Sequence, residues 1–141
     1  MSRGPPIPSH ELIDHPSEVQ LRLRAGSLGD LLAEAGRALA ELQLRGVERP
    51  ARAAPKRLEL AAPDRERLLA DWLNELIFLA ETERWVATGF EIERADVRSV
   101  SARATGVEIP RVRGLVKAAT LHGLRVRDVD GGLEGEVILD V

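Results

Sequence analysis

Val19, Leu21 and Leu23 alternate with Gln20, Arg22 and Arg24, the period-2 signature of a strand with one buried face and one wet face. Gly26 breaks that run. Ser27 follows as a helix N-cap whose hydroxyl accepts from an orphan amide, with Asp30 in the favourable first turn. Leu28, Leu31, Leu32, Ala35, Leu39 and Leu42 then recur at spacings of three and four, which predicts a helix with one apolar face, running to about Leu44 and stopped at Gly46. Glu48 to Lys56, with Pro50 and Pro55, reads as a loop leading into a short strand at Arg57 to Ala61. A second helix starts at Asp64, just after Pro63. Its apolar residues Leu68, Leu69, Trp72, Leu73, Leu76, Ile77, Leu79 and Ala80 cover more than one stripe, so it is expected to be the central helix, contacted on two sides. From Phe90 the pattern is strand-like: Phe90 to Val97, Val100 to Ala104, Val116 to Leu121, Leu124 to Val129 and Leu133 to Leu139. Asp130, Gly131 and Gly132 supply a hairpin turn between the last two. Strands, two helices and then hairpin-linked strands give an α+β order, because parallel units would need helices between the later strands.

A chain of 141 residues is long enough for one core and too short for two ordinary domains. Met1 to Ser9 contains three prolines and little apolar surface, so residues 1–9 are expected to be a disordered leader and 10–141 the domain. No apolar run approaches a membrane span and the start has no apolar signal region, so a cytoplasmic protein with no membrane contact is expected. The absence of cysteine excludes disulfides, thiol catalysis and Cys-ligated zinc, leaving oxygen or imidazole for any metal. Twenty Lys plus Arg against 23 Asp plus Glu give a net charge of -3, which does not suit a surface devoted to phosphate backbone. Eighteen of the basic residues are Arg and only Lys56 and Lys117 are Lys, a skew that suits phosphate binding and that base composition explains equally.

Several constellations carry potential chemistry. Asp14-His15-Pro16-Ser17-Glu18 packs two carboxylates and an imidazole just before a strand, and they converge only if Pro16 and Ser17 turn the chain. The sequence stops abruptly inside the apolar run Val137-Ile138-Leu139-Asp140-Val141, making Asp140 and the main-chain oxygens of Val141 candidate fixed ligands. If this end strand lies beside the strand that follows Glu18, three or four oxygens gather for one hard cation such as Ca²⁺, Mg²⁺ or Mn²⁺. Asp71, Asn74 and Glu75 share a helix face, ordinarily a solvated one. His122 sits where a strand breaks at Gly123, and His10 falls in or near flexible sequence. Arg45, Arg49, Arg52, Lys56 and Arg57 form one basic stretch, and Arg111, Arg113 and Lys117 another; both fit an acidic partner as well as RNA. With two Phe, two Trp and no Tyr, the aromatic platform of single-stranded RNA binders is mostly missing. Phosphate-loop, dinucleotide, nucleophile-elbow and His-based zinc motifs are all absent.

Four segments, in order, resemble the archease family, the small partner proteins of RtcB-type RNA ligases. They are E-L-I-D-H-P-S-E-V, similar to the family's D-H-T-A-D-[VI]; D-W-L-N-E-L-I-F-L-A-E-T-E; V-K-A-A-T-L-H-G-L, similar to V-K-A-[VA]-T-[YF]-H; and the closing V-I-L-D-V. The resemblance spans Glu11 to Val141. It implies an α+β fold with two helices packed between sheets in β/α/β layers. It also implies a non-catalytic cofactor that promotes guanylylation and multiple turnover of the ligase in tRNA splicing or RNA repair, meeting RNA only through that ligase. A divalent cation, in the family typically calcium, would be held by Glu18, Asp140 and Val141, with Asp14, His15 and His122 as support. Glu18 stands where the family has Asp, one methylene longer, and Pro16 and Ser17 replace Thr and Ala. Two other classes stay open: a general chaperone or protein-binding module with a structural metal, and a metal-dependent hydrolase using Asp14, His15 and Glu18.

Overall fold

In a computed structural model, residues 6–110 and 116–141 are described. The elements run β1 (Ser9–Asp14), β2 (Glu18–Ala25), α1 (Leu28–Gln43), β3 (Ala51–Ala61), α2 (Arg65–Glu83), β4 (Trp85–Asp96), β5 (Ser99–Glu108), β6 (Ala118–Val129) and β7 (Gly132–Asp140). They form two antiparallel sheets, one ordered β1-β2-β7-β6 and the other β3-β5-β4. Both helices lie between the sheets: α1 packs on β2 and β4, α2 on β6 and β4. The expected β/α/β layering is therefore present. Leu21, Leu23, Val137 and Leu139 from one sheet and Leu58, Ala102 and Ala104 from the other meet Leu31, Leu32, Leu39, Leu68, Trp72 and Leu73 in one continuous core.

The cap read from the sequence at Ser27 operates, and Asp64, the expected start of the second helix, caps that helix. Ser27 Oγ accepts from the Asp30 amide at 3.1 Å, and Asp64 Oδ1 from the Arg67 amide at 2.8 Å, each satisfying a donor that the first helical turn leaves unpaired. The more enclosed helix is α1, however, not α2. Leu31 to Gly36, Ala38 to Ala40, Leu42 and Gln43 are buried, while α2 keeps a broad wet side. Ala33, Ala35, Gly36, Ala38 and Ala40 bring neighbours close without adding to the leucine stripe, so α1 is wrapped on faces that a periodicity of large residues does not mark. Gly36 is one such approach, with the Phe90 ring occupying the space a β-carbon would need.

Several strand boundaries differ from expectation; β4 begins at Trp85 rather than Phe90, and β5 runs to Glu108 rather than Ala104. Ser9, assigned to the leader, opens β1 by pairing with Arg24; residues 1–5 of that leader lie outside the described residues. β3 begins at Ala51 rather than Arg57, with its register shifting between Ala53 and Lys56, around Pro55, which has no N–H to give a ladder. An edge strand accommodates this. The two expected strands at Val116 to Leu121 and Leu124 to Val129 are one strand, β6. Thr120 pairs with Ile138 and Arg125 with Glu136, so the intervening β6 residues loop outward as a bulge, made possible by Gly123 at φ 70°.

Candidate functional site

Alternation decides which side chains share a face. On β2, Val19, Leu21 and Leu23 enter the core and Glu18, Gln20, Arg22 and Arg24 face out; on β7, Leu133, Gly135, Val137 and Leu139 enter and Glu134, Glu136, Ile138 and Asp140 face out. The end strand does lie beside the strand that starts at Glu18. Register sets Glu18 directly opposite Asp140, and Asp140 directly opposite Ala118 on β6. Two carboxylates thus stand as neighbours on the outer face, at one end of the four-stranded sheet. Main-chain bonds fasten that end: Val141 N–H donates to the Ser17 carbonyl at 3.3 Å, His15 N–H to the Glu18 carbonyl at 2.8 Å, and Lys117 N–H to the Asp140 carbonyl at 2.7 Å.

Like charges directly opposite across an antiparallel pair are unfavourable, so this end invites a cation. The donors are hard oxygens, which suits Ca²⁺, Mg²⁺ or Mn²⁺ rather than a soft metal. Among the described residues no three His, Cys, Asp or Glu side chains gather as a metal site. A third protein ligand would have to come from the main-chain oxygens of Val141.

The other sequence candidates separate. Asp14 pairs with Val19 in register, so its side chain leaves the opposite face from Glu18 and accepts from Arg45 Nη1 at 3.4 Å. The convergence of Asp14 with Glu18 that a hydrolase reading requires does not occur. His15 is exposed in the turn, and His122 is exposed in the β6 bulge. On α2, Asp71 accepts from Arg67 at 3.1 Å, and Asn74 turns to β6, so the shared face is not an acidic dyad. Of the basic stretches, Arg45 meets Asp14, Lys56 meets Glu83 at 2.8 Å, and Arg57 meets Glu59 and Glu93 at 3.1 and 2.9 Å; Arg111 and Arg113 lie outside the described residues. A shallow depression of about 410 Å³ on the outer face of the same sheet is lined in part by Arg22, Arg24, Arg127, Glu134 and Glu136. Its charges already pair: Glu136 lies between Arg22 and Arg125, and Glu134 between Arg24 and Arg127.

His10 was not legible as part of any cluster. On β1 it faces α1, with Nδ1 2.5 Å from Glu34 Oε2 and Nε2 2.5 Å from Glu41 Oε2, while Arg37 donates to Glu34 at 2.8 Å. Burial pulls the imidazole pKa down, but the hydrogen bonds and charges of the two glutamates outweigh it and raise it above the ordinary 6.5. Burial likewise pushes Glu34 up, and its bonds to His10 and Arg37 reverse that, leaving it below its ordinary value. The available signal was the spacing Glu34, Arg37, Glu41 on one helix face.

Fold and site together describe a two-sheet α+β sandwich with helices in its middle layer and an acidic end on one sheet. The archease protein family model matches residues 10–141, and the chain belongs to that family. Protein archease of Methanothermobacter thermautotrophicus is 37% identical over 95 residues, covering 63% of this chain and 68% of its own. Its counterpart in Archaeoglobus fulgidus is 29% identical over 140 residues, covering 94% and 98%. The solution structure of protein 1598 from Methanobacterium thermoautotrophicum superposes with a TM-score of 0.70 at 30% identity, covering 94% of this chain and 98% of that one. The crystal structure of a Thermotoga maritima archease, described as a possible chaperone, has a TM-score of 0.62 at 21% identity, covering 99% and 100%, and agrees in fold. No helix among the described residues is long and apolar enough to cross a membrane.

Proposed function

We propose that this protein is a non-catalytic cofactor of an RtcB-type RNA ligase, promoting guanylylation and repeated turnover in tRNA splicing or RNA repair. The observation that carries the reading is the register of Glu18 opposite Asp140, in a chain belonging to the archease family. That pair, with the main-chain oxygens of Val141, would hold a divalent cation, Ca²⁺ by the resemblance, whose chemistry there is to neutralise the carboxylates and give the end a defined shape. Glu18 and Asp140 are oriented by strand pairing rather than by a mobile loop, so little ordering is required when a partner arrives. RNA is reached only through the ligase.

Multiple-turnover ligation and guanylylation by the host ligase, with wild type and with Asp140→Ala, test this. Restored turnover with wild type and not with the variant, which keeps a cooperative melting transition, is the expected result; no effect of wild type on a competent ligase overturns it. The description of the Thermotoga maritima relative as a possible chaperone favours a second reading, that of a general protein-binding module. Suppression of aggregation of unrelated clients, unaffected by Asp140→Ala, is its signature.

A further inference from the structure

We infer that Asn74 on α2 is a positioning residue for Asp140: by gripping the short arm of β6 beside the acidic end, it holds that carboxylate in register with Glu18 and so sets the affinity of the pair for a divalent cation. The inference rests on the cation reading above and adds a residue that touches neither carboxylate.

The two carboxylates are not held alike. Glu18 opens β2, an inner strand flanked by β1 and β7, and its carbonyl takes the His15 N–H. Asp140 closes β7, and the strand on its far side is β6, an edge of the sheet. A short stretch fixes it there. Ala118, Ala119 and Thr120 pair with Asp140, Leu139 and Ile138, and the Lys117 N–H reaches the Asp140 carbonyl. Pairing then lapses until Arg125, because Leu121 to Leu124 loop out. A bulge interrupts the ladder, so this arm of β6 draws little support from the remainder of its own strand.

The helix α2 bridges the break. Arg65, at its start, reaches the Val126 carbonyl and Asp128 on the long arm of β6, whereas Asn74 both donates to and accepts from the main chain of Ala119 on the short arm. From Arg65 to Asn74 the helix advances about 14 Å at 1.5 Å per residue. Gly135 and Leu139, the β7 partners of Val126 and Ala119, also stand about 14 Å apart, at roughly 3.4 Å per residue. These lengths agree because the bulge takes its residues out of the strand; a regular β6 would carry Ala119 about 24 Å from Val126, out of register with Asn74. The helix thus splints β6 across its bulge. Two bonds from one amide to one residue fix the arm in rotation as well as in translation, and with Asn74 half-buried and Ala119 buried, water competes poorly for either.

Opposed carboxylates bind a cation best when the groups behind them hold the geometry in advance. Without Asn74 the arm keeps only its pairing with β7, moves with the end of that strand, and lets the Asp140 carboxylate leave its place opposite Glu18.

The test is calorimetric titration of Ca²⁺ alone into the full-length protein, with amide hydrogen exchange alongside, for wild type, Asn74→Ala and Arg65→Ala, each shown to keep a cooperative melting transition. Arg65→Ala cuts the other end of the same splint and so reports lost helix–strand stability by itself. The expected result is a Ca²⁺ Kd raised at least about tenfold by Asn74→Ala and unchanged by Arg65→Ala, with faster exchange of the Lys117 amide in Asn74→Ala only. Should the alanine variant not fold, Asn74→Ser takes its place with the same expectation. If the Asn74 variant binds Ca²⁺ as wild type does, or if Arg65→Ala weakens binding equally, the positioning role is overturned and the cation reading stands. If wild type binds no Ca²⁺, the cation reading falls and the positioning role with it, while ligation turnover with wild type still judges the ligase reading.

Discussion

The side-chain amide of Asn74 pairs with the main chain of Ala119 as a neighbouring strand would: Nδ2 donates to the Ala119 carbonyl at 3.2 Å, and Oδ1 accepts its N–H at 2.8 Å. Ala119 lies on β6, an edge of the four-stranded sheet, where unpaired backbone groups template pairing with other chains. Asn74→Leu removes both partners and covers the groups with hydrocarbon, at a cost of about 2–3 kcal/mol. Denaturant unfolding should show a lowered midpoint at unchanged m-value, and size-exclusion chromatography more self-association than wild type.

His10 ties β1 to α1 by a bond that needs the imidazolium. A histidine whose folded pKa is raised contributes fully below the unfolded value of 6.5 and loses that contribution as pH rises through the folded pKa. Glu34, held low, contributes above its unfolded value of 4.5 and loses it as pH falls through its own folded pKa. Between those values both charged partners are present. Relative to His10→Gln, wild type should be more stable by about 1–2 kcal/mol near pH 5.5, and the difference should shrink as the buffer is taken towards pH 9. A pH-independent difference in melting temperature would show that the imidazole acts by shape alone.

A β-carbon on Gly106 would run into the Trp85 ring, whose Nε1 donates to the Ala54 carbonyl at 3.0 Å. Gly106→Ala must push the indole away from that bond. A loss of about 1–3 kcal/mol is expected, with a shifted tryptophan emission maximum in the native state. Unchanged emission and stability would place the ring elsewhere in solution.

Glu18 and Asp140, directly opposed, should respond to cations in opposite ways before and after neutralisation. Adding millimolar Ca²⁺ is expected to raise the melting temperature of wild type and to leave Asp140→Asn and Glu18→Gln unmoved. In chelator the order reverses, with Asp140→Asn slightly the more stable, by about 0.2–1 kcal/mol. Equal response of wild type and variants to Ca²⁺ removes the site.

The helices were readable because caps and periodicity are local: Ser27 and Asp64 act within three residues of themselves. β1 was not, because two of its three core-side residues, His10 and Asp14, are polar and meet Glu34 on α1 and Arg45 just beyond its end rather than hydrocarbon. Pro55 and the bulge around Gly123 obscured β3 and β6 for a similar reason, since each breaks the period of two that marks a strand. Of the acidic site, the two end residues were legible as candidates, but their adjacency depended on β2 pairing with β7, a contact between distant parts of the chain. Asp14 shows the converse, being near Glu18 in sequence and on the other side of the sheet.

The pairing of β2 with β7 joins residues 18–25 to residues 133–140, and it sets an order of events during synthesis. At about 5–20 residues per second, the ribosome needs on the order of 6–24 s to pass from the first partner to the last. Both helices and all the strands of the β3-β5-β4 sheet are synthesised in that interval. The amino-terminal hairpin waits for β7, and the acidic pair comes into being only when that strand arrives. A chain that has Glu18 opposite Asp140 has therefore brought β2 and β7 together, and a partner that recognises that pair selects molecules in which these distant segments have met.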